Sequence, residues 1–335
     1  MSTYKCVASI AGLTGEATVD IGSEAVSVAG VGEKAIVLSF ADIADMRLLN
    51  YRVHVRLTKG EAVFSKLGYQ TENFFEKLWL AFAGMSERSL FIEGARIMSS
   101  EGDYAYEEPG AQASSIAKLT LYSDCLSIVP HDAGARRVPL CFVESLERNG
   151  FAMNMRLDTG ERYRVARLGR ETDPFFKRLS ELRERAGAEW RKAHGVLERD
   201  LRSRLGDATE AYQVFCALPA AVVQGLFSTH DEAFWFAAVS GDRAAVELVT
   251  DEQSATYLYS FDTEPAVFVA ALRHAMEAVK TNRRLIFMPQ DDLEAVPLYR
   301  MALERSAHTR FLRVCSSGRI VHAASWKKKL EEFFA

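Results

Sequence analysis

Between residues 51 and 57 apolar and polar side chains alternate without a break: Tyr51, Val53, Val55 and Leu57 are separated by Arg52, His54 and Arg56. Residues 151–157 do the same, with Phe151, Met153, Met155 and Leu157 set against Ala152, Asn154 and Arg156. A period of two puts each apolar set on one face of a strand, toward a core. The stretches close on RLTKGE (56–61) and RLDTGE (156–161). Each strand therefore runs into a tight turn at Lys59-Gly60 or Thr159-Gly160, with glycine supplying a positive φ. AVFSKL (62–67) and RYRVARL (162–168) complete two hairpins.

The correspondence extends downstream. KLGYQTENFFEKL (66–78) aligns with RLGRETDPFFKRL (167–179) after a one-residue insertion, sharing Leu67/Leu168, Gly68/Gly169, Thr71/Thr172, Phe74/Phe175, Phe75/Phe176 and Leu78/Leu179. Both read as helices. Thr71 and Thr172 (or Asp173, with Pro174 at the first helical position) are the expected N-caps. Phe75, Leu78, Trp79 and Phe82 form one apolar face, as do Phe176, Leu179 and Leu182. Upstream of the first hairpin lie the β-like runs YKCVASI, EATVDI, AVSVAG, AIVLSF and IADMRLL; upstream of the second lie ARIMSS, YAYEE, SIAKLTLY, CLSIVP, RRVPLC and VESLER. Two homologous units are expected, 1–90 and 91–187, each of about seven strands and a final helix.

Seven antiparallel strands capped by one C-terminal helix resemble the pleckstrin-homology (PH-like) family, which includes GRAM-type and bacterial PH-like domains. PH domains commonly carry a tryptophan in that helix, and Trp79 stands there; the aligned residue of the second unit is Ser180. The resemblance implies an α+β, multi-domain chain with two antiparallel barrels, each closed by its helix. The stripe Phe176, Leu179, Ala186, Trp190, Ala193, Leu197, Leu201 predicts a helical connector over 188–206. Residues 207–335 read as a third, α+β domain. Its expected strands are AAVVQGLF, AFWFAAVSG, AAVELVT, ATYLYSF and RLIFMP, and a helix is expected over Glu264–Lys280. A further helix is expected beyond Pro297, and a last one in SWKKKLEEFFA after Ser325, buried on one face.

Composition narrows the function. A net charge of −4 argues against a dedicated nucleic-acid binder. The five cysteines are scattered and never form C-x-x-C, which disfavours a disulfide framework or a zinc site and suggests reduced, buried thiols. No signal-like segment or run of ~20 apolar residues is present, so a cytoplasmic location is expected. Phosphate-loop, G-x-S-x-G and H-E-x-x-H motifs are lacking; GVGEKA (30–35) reads as a strand-to-strand turn. None of the seven histidines lies at ligand spacing from another. Asp251-Glu252 fits a turn, and Asp291, Asp292 and Glu294 fit a helix start. No catalytic residue, metal site or cofactor is expected.

The basic residues are the remaining candidates. Arg136 and Arg137 lie in one predicted turn-strand, and Arg162, Arg164, Arg167 and Arg170 in and after another. Brought together, they would form a patch for anionic lipid or an acidic peptide; apart, they are a salt-bridged surface. The first hairpins, SIAGLTGEATV and SSEGDYAYEEPGAQASS, lack the basic residues that phosphoinositide-binding PH domains carry there. The expectation is a non-enzymatic interaction protein that binds protein or peptide partners through its PH-like units. Peripheral binding to anionic lipid is the alternative, and an enzyme with a site in the C-terminal domain the third reading.

Overall fold

The computed structural model describes residues 2–92, 94–108, 110–205, 210–212, 215–217, 234–249, 254–279, 284–321 and 323–335. The protein is α+β. Its first sheet contains β1 (Ser2–Ile10), β2 (Leu13–Ile21), β3 (Ala25–Ala29), β4 (Ile36–Ser39), β5 (Ile43–Leu49), β6 (Arg52–Leu57) and β7 (Glu61–Ser65). All neighbours are antiparallel, in the order β4-β3-β2-β1-β7-β6-β5. After α1 (Thr71–Ser89) comes a second sheet: β8 (Arg96–Glu108), β9 (Ala111–Tyr122), β10 (Cys125–Pro130), β11 (Arg136–Pro139), β12 (Val143–Asn149), β13 (Ala152–Leu157) and β14 (Arg162–Ala166). Its order, β11-β10-β9-β8-β14-β13-β12, is that of the first sheet. α2 then runs unbroken over Thr172–Leu205.

Alternation explains both sheets. Val19, Val28, Val53, Val55, Ala62 and Phe64 of the first are at most 1% exposed, while the residues between them face outward or lie half-buried. The sheets also match in backbone detail. Each has a register shift where the sixth strand meets the fifth, at Ile43/Asp45 and Val143/Ser145. Gly60 and Gly160 turn the hairpins at φ 91° and 89°. Lys66 and Arg167, neither a glycine, both sit at left-handed φ, 57° and 59°.

Some local expectations change. Tyr51 and Phe151 are 80% and 75% exposed, not core residues. The strands begin one residue later, after turns with left-handed backbone at Asn50 and Tyr51 (φ 50° and 57°) before β6 and at Gly150 (φ 61°) before β13. Thr71 and Thr172 do not cap their helices by accepting N–H bonds. Each opens its helix, and its hydroxyl donates to the carbonyl of Gly68 (2.8 Å) or Gly169 (2.9 Å) in the preceding 3-10 turn. ARIMSS and YAYEE are one strand, β8, although Gly102 looks like a break. A side chain at Gly102 would lie 2.6 Å from the Ala166 carbonyl oxygen, so glycine there permits close approach to the end of β14.

The inward face of α1 includes Leu78 and Phe82 as expected, but not Phe75 and Trp79. Phe74, Leu78, Phe82 and Met85 enter the first sheet's core, and Tyr4 and Phe64 pack edge-on against Phe74 at 5.0 and 5.3 Å. Phe75 and Trp79 turn instead toward His131 of the second sheet, at ring distances of 5.6 and 4.7 Å. Ala83 packs there with Val129 and Ala135. In α2 the fully buried phenylalanine is Phe175, whereas Phe176 is half-buried near the Arg148 guanidinium.

The rest of the described chain comprises β15 (Glu210–Tyr212), β16 (Phe215–Ala217), β17 (Phe234–Ser240), β18 (Arg243–Val249), β19 (Ser254–Ser260), α3 (Pro265–Val279), α4 (Arg284–Phe287), α5 (Gln290–Glu294), α6 (Pro297–Arg305), α7 (Ala307–Cys315), β20 (Ser316–Ile320) and α8 (Trp326–Phe334). The expected strand AAVVQGLF lies outside the described residues, and RLIFMP supplies a helix, α4, rather than a strand. Two compact units result: Met1–Glu184 with Met276–Ala307, and Arg185–Ala275 with His308–Ala335. Within the first, α6 adds Met301 to the core of the first sheet, and Arg300 pairs with Asp42 at 2.9 Å. Within the second, β17-β18-β19-β20 form an antiparallel sheet; Phe261 stacks on Phe268 at 4.3 Å, and the Trp326 indole N–H donates to Thr256 at 2.7 Å.

Candidate functional site

The registers of the second sheet assemble two rows of outward side chains across β12, β13, β14, β8 and β9. One row reads Ser145, Arg156, Arg162, Glu107, Gln112; the next reads Glu147, Asn154, Arg164, Ala105, Ser114. Between and beside these rows lies a groove of about 950 Å³. At a strand spacing of about 4.8 Å, five strands make it roughly 19 Å long. Beneath it, Tyr106, Met155 and Tyr163 point the other way and are buried.

Charge is distributed unevenly along this groove. Arg156 stands directly opposite Arg162, and like charges at facing positions of an antiparallel pair repel. Each leans outward to a carboxylate: Arg156 to Glu144 at 2.8 Å, Arg162 to Glu107 at 4.0 Å. These pairs are exposed, so solvent screens them heavily. Arg164, in mid-groove, has no ion-pair or hydrogen-bond partner among the described residues.

The first sheet has a smaller groove, about 350 Å³, at the equivalent place. Its rows read Asp45, Arg56, Glu61 and Arg47, His54, Val63. Here Arg56 faces Glu61, Asp45 pairs with Arg47 at 2.7 Å, and His54 Nδ1 meets Glu61 at 2.9 Å. Arg56 thus has a carboxylate residue opposite it on each side, Asp45 on β5 and Glu61 on β7, without an ion pair of its own among the described residues. In the second sheet an arginine, Arg162, occupies the place of Glu61, and Arg164 that of Val63. The outer edges differ as well. The β5 edge meets the second sheet through the Ala133 N–H, which donates to the Ala44 carbonyl at 3.1 Å, and through a bridge between Asp45 and Asp132. On the β12 edge, the Val143 carbonyl accepts from Arg183 Nε at 2.9 Å.

The candidate arginines do not form one patch. Arg164 lines the groove, as does Arg162. Arg167 is exposed beyond the end of β14 and pairs with Asp103 at 3.2 Å, and Arg170 is exposed in the following turn. Arg136 lies against the sheet, its guanidinium 3.6 Å from the centre of the Tyr106 ring. Arg137 is interior, with its side chain only 5% exposed. It grips Glu277 of α3 with both terminal nitrogens and reaches Asp124 at 3.0 Å. Burial alone would weaken its charge, but the Glu277 and Asp124 carboxylates outweigh burial and hold it protonated. Arg156, Asn154 and Glu147 were not singled out in the sequence. The alternation along 152–156 puts Asn154 and Arg156 on the outward face, but only the hairpin register sets Arg156 against Arg162.

Other chemistry is sparse. Cys6, Cys125, Cys141 and Cys315 are free thiols, and burial pushes Cys6 up to about 11 and Cys125 up to about 12. Among the described residues no group of three or more His, Cys, Asp and Glu side chains is arranged to hold a metal ion, and no helix is long and apolar enough to cross a membrane. Comparison with known proteins found no family model that matches the chain and no curated protein significantly similar to it.

Proposed function

We propose that the protein is a non-enzymatic interaction protein. In this reading two PH-like barrels, residues 1–90 and 91–187, arose by duplication, and each is closed by the helix that follows it. The second barrel holds a segment of a protein partner in its outer groove. A helical connector (188–206) leads to an α+β C-terminal region (207–335), of which Met276–Ala307 belongs to the first compact unit. The matched strand order, register shifts and turn conformations support the duplication. Buried thiols held well above neutral pH suit a reducing cytoplasm.

One observation carries the binding role. Equivalent faces of two matched sheets differ in charge: in the first, Arg56 stands opposite Glu61, whereas in the second Arg156 stands opposite Arg162 and Arg164 has no ion pair among the described residues. Such an arrangement costs some stability in the free protein and suits a groove completed by a ligand. Anionic-lipid binding draws less support, because Arg137 is buried, Arg136 lies on Tyr106 and Arg167 pairs with Asp103.

A photo-crosslinking residue at Gln112 or Ser145, at either end of the groove, tests the reading in lysate of the native cells. One partner protein should be captured from both positions and not from Leu49 beside the first groove. Capture that is equal at Leu49, or absent at both groove positions, would overturn it.

A further inference from the structure

We infer that the groove of the second sheet recognises an extended peptide segment with a carboxylate side chain at its centre, held by Arg156, Arg162 and Arg164. The inference rests on the binding role proposed above and names the chemistry of the ligand. The first sheet contains a stand-in. There Glu61 stands opposite Arg56 on the neighbouring strand, its carboxylate 2.9 Å from His54 Nδ1, and the Arg56–Glu61 register equals that of Arg156–Arg162. Replacing the glutamate by arginine removes that carboxylate and adds a second cation. A ligand carboxylate between Arg156 and Arg162 would restore the missing charge, and guanidinium groups bind carboxylates in matched, forked pairs.

Length and lining favour a peptide over a small anion. The groove is roughly 19 Å long, the span of about six extended residues. Asn154, Gln112, Ser114 and Ser145 supply amide and hydroxyl groups to either side of the arginines, suited to a peptide backbone. Glu147 flanks the arginines on β12 and Glu107 on β8. This order, acid–base–acid, selects a segment that is acidic in the middle and neutral or basic at its ends. A uniformly anionic surface such as a lipid bilayer would meet both glutamates. A single-stranded nucleic acid would need aromatic platforms; the two tyrosines beneath the groove are buried, at 2% and 4% exposure.

The test measures fluorescence anisotropy of labelled peptides on the full chain. One peptide has glutamate at its two central positions and lysine near its ends; the second has glutamine in place of the glutamates. The glutamate peptide should bind at least about tenfold tighter, a gap of about 1.4 kcal/mol, and should weaken as salt rises. Arg162→Glu, which restores the first sheet's arrangement, should remove the preference. Arg164→Gln should reduce it about threefold without removing it. Both positions are exposed, and unchanged thermal unfolding of the variants shows that the fold persists. Equal binding of the two peptides, or binding only to phosphatidylserine vesicles, would overturn the inference. Groove crosslinking to a protein partner together with equal peptide binding would sink the carboxylate assignment alone; no groove crosslinking would sink the binding role itself.

Discussion

At Arg137 burial and charge oppose each other, and the neighbours decide. Its guanidinium is 5% exposed and the Glu277 carboxylate 4%, so each is the other's main substitute for water. Removing one partner leaves the other charge buried and uncompensated. Glu277→Ala is therefore expected to cost about 3–5 kcal/mol in urea unfolding, whereas Arg162→Ala, on an exposed pair, should change stability by less than about 1 kcal/mol. His131 gives a pH-dependent case. Burial against Phe75 and Trp79 lowers its affinity for a proton, only partly offset by the Glu101, Asp132 and Asp45 carboxylates around it. The unfolded chain therefore takes up a proton near pH 6.5 that the folded chain resists. Stability from this site is complete above that pH and declines below it, toward the lower folded value. Thermal unfolding at pH 7.5 and 5.5 should show the wild type losing more on acidification than His131→Gln; equal losses would exclude the mechanism.

At the scale of elements, each helix after a sheet sets a phenylalanine without exposed surface in its first turn, Phe74 or Phe175. Truncating either removes a large packed ring and leaves a cavity. Phe74→Ala and Phe175→Ala should each cost about 3–5 kcal/mol by chemical denaturation, while Phe75→Ala and Phe176→Ala, at half-buried positions, should cost less. If the Phe75 and Phe176 variants were the more damaging pair, the inward face assigned to both helices would be wrong. The elements themselves were largely legible. Alternation over 51–57 and 151–157 found β6 and β13, and the Lys59-Gly60 and Thr159-Gly160 signals found their turns. Three of the differences share one cause. Tyr51, Phe151 and Gly102 were read by local pattern, but a turn conformation and a neighbouring strand determine what they do.

For the first compact unit as a whole, the contact between the two sheets is the decisive feature. Trp79 and Phe75 meet His131, Ala83 meets Val129 and Ala135, and Lys118 pairs with Glu87 at 2.9 Å with both side chains largely shielded. The two sheets should therefore open together. In hydrogen exchange, amides of β6 and β13 are expected to report the same opening free energy in the wild type and to separate in Trp79→Ala. Separate openings already in the wild type would show that this contact does not couple them.

The sequence by itself determined the two sheets, their closing hairpins and the apolar helices that follow, because alternation, turn glycines and helical spacing are local. It also identified the arginines between 136 and 170 as the residues to examine. It left their fates open, since residues adjacent in sequence can face opposite ways. Tertiary structure buried Arg137 against Glu277, 140 positions away, and laid Arg136 on Tyr106. Strand register set Arg156 against Arg162 and carried Arg164 to mid-groove. A guanidinium's role depends on which carboxylates, rings and water surround it, and those neighbours are assembled only when distant strands pair.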